Sequence, residues 1–267
     1  LDYLAREFSN QNWSIKQLVR RIVLSRTYRM ASAINEHAER VDPDNRLLHR
    51  AHVKRLPAEA VRDSILQVAG SLNLQMYGPG VQVYLTEFMQ GRGRPEKGGP
   101  IDGHGRRSIY IQVRRNFLSP MMLAFDAPIP FNTIGLRHES NVPAQALTLL
   151  NDPFVVEQAG LWAKRMREHQ LGVDATVDLA FQTALSRHPS DAEMAFAREF
   201  FADQLGLIAE SEVQTNSSGN RDENSKGQSN DESNQIDWPD IQSVVQQQVW
   251  SDFCHVIFNM KEFIFVK

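Results

Sequence analysis

Residues 92–115 hold seven bases (Arg92, Arg94, Lys97, Arg106, Arg107, Arg114 and Arg115) against two acids, Glu96 and Asp102. Glycines run through the first part of this stretch and let backbone approach a ligand closely. The planar fork of an arginine grips sulfate, phosphate or carboxylate through two parallel hydrogen bonds. Arg92, Arg94, Arg106, Arg107 and Arg114 are therefore the candidate ligand-binding residues, for an anionic glycan, a nucleotide or the acidic face of a partner. The competing expectation is a solvated loop whose arginines are consumed by internal acids such as Glu59 or Asp126. An Asp126 lock to Arg107 or Arg114 is the first such pair to expect. No Gly-Lys-Ser/Thr follows the glycines near Arg92, so the segment is not a phosphate loop.

A second cluster, Asp126, Arg137, His138 and Glu139, sits in irregular sequence flanked by prolines. A histidine beside carboxylates can act as a general base while an arginine holds an anion. Asp126 and His138 are thus the candidate catalytic pair, although no serine elbow accompanies them. His49, His52 and His104 lack a marked third ligand and there is no His-Glu-x-x-His, so no metal site is predicted. Glu59 and Arg62 are placed to pair across one helical turn. Tyr28 and Tyr110 lie beside arginines and could stack a sugar ring or pack with a bonded hydroxyl. Cys254, the single cysteine, excludes an internal disulfide and reads as a buried, inert thiol.

Helices must position these groups. Ser14 and Gln17 frame a capping box, and Ile15, Leu18, Val19, Ile22 and Val23 follow on one face. Asp42-Pro43-Asp44-Asn45 reads as a turn, Arg46–His52 as a short helix, and Pro57 as the start of a stronger helix with the stripe Val61, Ile65, Val68, Leu72. Alternation at Val81–Leu85 and Ile109–Val113 predicts two short strands in a small antiparallel ribbon, with a long, mobile loop at 86–105 between them. Helices resume at Pro143 and Pro153, each preceded by a capping Asn or Asp. A helical hairpin is expected over Asp174–Ser186 and Asp191–Leu205, and a last helix over Pro239–Asn259. Phe263–Val266 should dock as an extended tail. Between Glu210 and Asn234 the only aliphatic or aromatic residue is Val213, so residues 209–235 read as a disordered low-complexity insertion. The expected fold is mainly α, a multi-helix single domain over 1–208 and 236–267 with a small antiparallel β-ribbon. Leu1–Phe8 already carries a helical stripe, which reads as a C-terminal fragment of a longer protein.

Charge and hydropathy exclude some functions. Twenty-nine bases against 32 acids give a net charge of −3, so bulk charge offers no reason for a nucleic-acid partner. No apolar run approaches the roughly 18 residues of a membrane span.

Several phrases occur in an order that resembles one family. They are Ser25-Arg26-Thr27-Tyr28-Arg29, Asp42-Pro43-Asp44-Asn45-Arg46-Leu47-Leu48 and Arg55-Leu56-Pro57-Ala58-Glu59-Ala60-Val61-Arg62-Asp63. Further on come Arg107-Ser108-Ile109-Tyr110, Phe125-Asp126-Ala127-Pro128, Val142-Pro143-Ala144-Gln145-Ala146-Leu147, Leu149-Leu150-Asn151-Asp152-Pro153 and Trp250-Ser251-Asp252-Phe253-Cys254. The set is similar to the planctomycete-specific domain of unknown function 1553. That resemblance implies the C-terminal part of large exported bacterial proteins, hence a periplasmic or extracytoplasmic location, with a cytochrome c-like domain upstream. It implies partners among the upstream domains and no cofactor in this chain, haem belonging upstream, since no Cys-x-x-Cys-His is present. It brings no catalytic residues. Two functions follow as expectations: an accessory or interaction domain that binds an anionic ligand or glycan through the basic loop, or a polysaccharide hydrolase using Asp126 and His138.

Overall fold

A computed structural model describes residues 1–131, 133–218 and 238–266, with side chains described except at 205–218 and 238–245. The protein is mainly α with one two-stranded antiparallel sheet. Its contacts divide it into two compact units, Leu1–Arg55 with the closing residues from Phe265, and Leu56–Ile264. Of the disordered insertion expected at 209–235, residues 209–218 are instead helical, and residues 219–235 lie outside the described residues.

The first unit contains α1 (Asp2–Asn10), α2 (Ile15–Val23) and α3 (Glu36–Val41), and pairs β1 (Lys54–Arg55) with β2 (Phe265–Val266). Ser14 caps α2 as predicted, its Oγ accepting from the Gln17 N–H at 3.4 Å. The reciprocal half of the capping box is not seen; the Ser14 N–H donates to the Gln11 carbonyl. The stripe Ile15, Leu18, Val19, Ile22, Val23 forms on one helix but buries none of its members, and Ile15 is 70% exposed. Periodicity decides which residues share a face; it does not supply what covers that face. The Asp42–Asn45 turn forms, and it prevents the short helix expected at Arg46–His52. Asp42 accepts from the Arg46 and Leu47 N–H groups at 2.9 and 2.7 Å, and buried Asn45 bonds both the N–H and the carbonyl of Arg50. Side chains that bind the backbone this well compete with helix formation. His49 and His52 belong to this turn, His49 through the Asp42 carbonyl and His52 through Asn45.

The second unit is built on α4 (Ala58–Ala69), α5 (Pro120–Ala124), α6 (Pro143–Asn151), α7 (Pro153–Glu168), α8 (Val173–Leu185), α9 (Asp191–Ser218), α10 (Trp238–Asn259) and α11 (Lys261–Ile264). α7 packs against both α10 and α4. Val61, Ile65, Leu66, Val155, Trp162, Cys254 and Phe258 fill the core between them, with Trp162 and Phe258 stacked at 5.0 Å. Cys254 is buried there, and burial pushes its thiol pKa upward, as an inert core cysteine requires. The predicted hairpin is α8 and α9, tied by Arg198 to Asp174, while Arg187 bridges Glu193 and Glu262 at 2.7 Å each. Phe263 and Ile264, expected in an extended tail, instead close the one-turn helix α11.

The predicted ribbon is corrected in place. Val81 and Ile111 share a single parallel bridge, and among the described residues the antiparallel strand pair is β1 with β2. Asp63 explains why: its Oδ1 accepts from both the N–H and the Oγ of Ser108 at 2.7 Å. This pins a 3-10 turn at Ser108–Tyr110 and turns Ile109 outward, 63% exposed. Alternation there marks two sides of a loop, with no ladder to continue it.

Candidate functional site

Arg62 falls inside the apolar stripe of α4, one residue past Val61 and three before Ile65, and is only 5% exposed. A buried charge persists only where its hydrogen bonds are met. Its Nη1 donates to the Arg106 carbonyl at 2.9 Å and to Ser108 Oγ at 3.2 Å, and Nη2 donates to the Asp102 carbonyl at 2.5 Å. The guanidinium lies 5.2 Å over the Phe154 ring. One helical side chain thus holds residues 102–108 from beneath, and Asp63 on the next position holds Ser108 and pairs with Arg107 at 3.4 Å.

His104 and Arg106 of that anchored segment line a cleft of about 480 Å³ together with residues 98–100 and residues from 73–82. Asn73 donates to the Gly105 carbonyl, Val81 to the Tyr110 carbonyl, and Gly99 to the Val83 carbonyl. Gly99 is required here because a Cβ would collide with the Gln82 carbonyl. Arg106 lines the cleft with its guanidinium 4.1 Å over the Tyr110 ring. Tyr110 is fixed in turn, its hydroxyl accepting from the Tyr77 N–H at 2.8 Å. Arg106 Nη2 donates to the Tyr77 carbonyl at 2.8 Å, while its buried Nε has no acceptor among the described residues. His104 also lines this cleft.

The five candidate arginines do not converge. Arg106 alone reaches the cleft. Arg92 stands exposed, and Arg94 closes its own loop by donating to the Met89 carbonyl at 2.7 Å. Arg107 is paired with Asp63, and Arg114 meets the side-chain oxygen of Gln112 at 3.4 Å. The lock expected between Asp126 and Arg107 or Arg114 is replaced by another: Asp126 accepts from the Ser140 N–H at 2.7 Å and from Ser140 Oγ at 2.9 Å. Asp126 takes a left-handed φ of +62°, which aspartate tolerates better than most residues. His138 is exposed, and neither it nor Asp126 lines the Arg106 cleft. Arg137 pairs with Glu59 at 2.9 Å, in place of the expected Glu59–Arg62 pair. The Arg137 guanidinium holds the Glu59 carboxyl below its ordinary range, although burial pulls more strongly upward than any other single influence. Among the described residues no three His, Cys, Asp or Glu side chains gather to hold a metal ion.

A second pocket, of about 400 Å³, opens on the other part of the same loop, between Tyr84–Phe88 and the start of α7. Asp152 is the N-cap there, Oδ1 accepting from the Phe154 N–H at 2.9 Å. Burial raises its pKa, outweighing the lowering by that hydrogen bond. An acid whose folded pKa is raised binds its proton more tightly when folded, so ionisation costs stability. The cost is absent below the unfolded pKa and complete above the folded one. Asn caps as well as Asp and carries no charge. Asp152→Asn should therefore be at least as stable as the parent protein at pH 7 in urea denaturation, with the difference closing as pH falls through the aspartate range. A variant less stable at pH 7 would show that the ionised carboxylate stabilises the fold.

Sequence reasoning placed Arg62 on a helix face and Asp152 at a cap, and missed both as site residues. The available signal was a charge within an apolar stripe, at Arg62.

Residues 1–201 match the family model described as PSD1, protein of unknown function (DUF1553). No curated protein and no solved structure matches the chain.

Proposed function

The chain belongs to the DUF1553 family of proteins of unknown function, and from that premise we propose that it is an accessory binding domain that takes the anionic group of a ligand, such as the carboxylate or sulfate of an acidic glycan, in the Arg106 cleft. The observation that carries this reading is the Arg106 guanidinium, 8% exposed and stacked on Tyr110, with a buried Nε–H that no described residue accepts. Arg106 lines a glycine-walled cleft beside His104, and a guanidinium set there suits an oxyanion. The upstream partner domains and extracytoplasmic location implied by the family resemblance complete the reading. Any haem would belong upstream, because the lone Cys254 is buried in the core. The Ser140 hydrogen bonds to Asp126 give no support to the hydrolase alternative.

The test is retention on dextran sulfate against neutral dextran. A charge-assisted hydrogen bond contributes about 1.5–3 kcal/mol, so Arg106→Met, which keeps the stem over Tyr110, should weaken retention roughly tenfold or more. Arg92→Ala and Arg94→Ala should each change it by less than about twofold, as solvated charges do. Equal losses across all three would mean diffuse electrostatics and would end the cleft reading. So would an absence of retention by the parent protein.

A further inference from the structure

We propose that the pocket between Tyr84–Phe88 and the N-terminus of α7 binds a neutral sugar ring. This goes beyond the anion reading and does not rest on it. The pocket is large enough for a small ligand, about 400 Å³. Its polar groups are of mixed kind: the hydroxyls of Tyr84, Thr86 and Ser119, the carboxylate of Asp152 and, at the solvent-exposed rim, that of Glu87. Its apolar surface comes from Phe88, Ile101, Met121 and Phe154.

The charges decide the ligand class. An anion is disfavoured because Asp152 already occupies the helix terminus and takes the Phe154 N–H. A cation is disfavoured because Arg62 stands in the wall, its charge met by two backbone carbonyls and Ser108 Oγ with no carboxylate closer than Asp63 at 3.9 Å, while Glu87 is solvent-exposed and its charge is screened by water. What remains suited is an uncharged ligand that both donates and accepts hydrogen bonds and presents a C–H face. Asp152 Oδ2, which makes no hydrogen bond among the described residues, accepts from a ring hydroxyl, and Tyr84, 41% exposed, offers an aromatic face to the ring. The upward pull of burial on Asp152 agrees with a carboxylate that gains from such a donor.

Saturation-transfer NMR on the full chain with glucose, galactose, mannose and N-acetylglucosamine, each at millimolar concentration, tests this. At least one sugar should show transfer to its ring protons. Asp152→Asn, which keeps the cap, and near-isosteric Thr86→Val should each weaken binding of that sugar roughly tenfold, the usual consequence of one lost hydrogen bond to a charged group or a half-buried hydroxyl. Circular dichroism checks that both variants fold. Arg106→Met should leave the sugar signal unchanged, which separates this site from the anion cleft. The proposal falls if none of the four sugars gives a signal, if both pocket variants bind as the parent does, or if ethylammonium binds and displaces the sugar.

Discussion

Replacing Arg62 by Met should lower the free energy of unfolding by about 3–5 kcal/mol, the loss typical of breaking a buried, hydrogen-bonded charge. Methionine matches the volume and keeps the contact with Phe154, so the change isolates the guanidinium. Three acceptors depend on it: the carbonyls of Asp102 and Arg106 and the Oγ of Ser108. Each would be left in a buried or half-buried place without a donor. Burial lowers the Arg62 pKa, yet an arginine remains protonated at every pH at which the protein is folded. The loss should therefore be flat with pH. Urea denaturation at unchanged m-value is the measurement. Arg62→Lys should recover only part of the loss, because one ammonium cannot reach acceptors arranged around a planar fork. A cost under about 1 kcal/mol would mean that water replaces the guanidinium, and that residues 102–108 are not anchored from α4. The same variant should weaken retention on dextran sulfate, since Arg106 is carried by that segment.

Gly105→Ala should cost roughly 2–5 kcal/mol, combining a left-handed backbone with overpacking. Gly105 has φ +65°, and a Cβ there would run into the Ser71 carbonyl, which is backbone and cannot swing aside. Its own carbonyl accepts from Asn73, the contact that closes one end of the Arg106 cleft. Stability and anion retention should therefore fall together. Gly135→Ala is the control: nothing lies within 4 Å of its added Cβ and its φ is not positive, so its effect should stay within about 0.5 kcal/mol. If Gly105→Ala is as mild as the control, residues 71–73 do not press closely on Gly105, and the cleft is not closed at that end.

The candidate site was legible only in part. Arg106 stood among five arginines that composition could not rank, because what separates them is burial: Arg106 lies under Tyr110 while Arg92 and Arg94 stand in solvent. Asp126 was visible as a functional type, but its partner was not. Ser140 lies fourteen positions further along the chain, and pairing at that separation leaves no periodic trace. The ribbon failed for a similar reason. Alternation at Ile109–Val113 resembles a strand until Asp63, more than forty positions earlier, claims Ser108 and forces a turn.

Local rules fixed the helices. Capping by Ser14 and Asp152, the early prolines 143 and 153 and the stripe on α4 each act within a few residues, so side-chain spacing alone determined where α2, α4, α6 and α7 begin and which way their apolar faces point. Tertiary structure decided what those faces meet. Val61, Ile65 and Val68 of the α4 stripe are buried, Leu72 falls beyond the helix and is half-buried, and the stripe of α2 is not buried, though both stripes repeat at helical spacing. Burial depends on neighbours brought from far along the chain. For that reason only the folded structure could show that Arg62 is a strut, that the Arg106 Nε has no acceptor among the described residues, and that one loop contributes to two separate pockets.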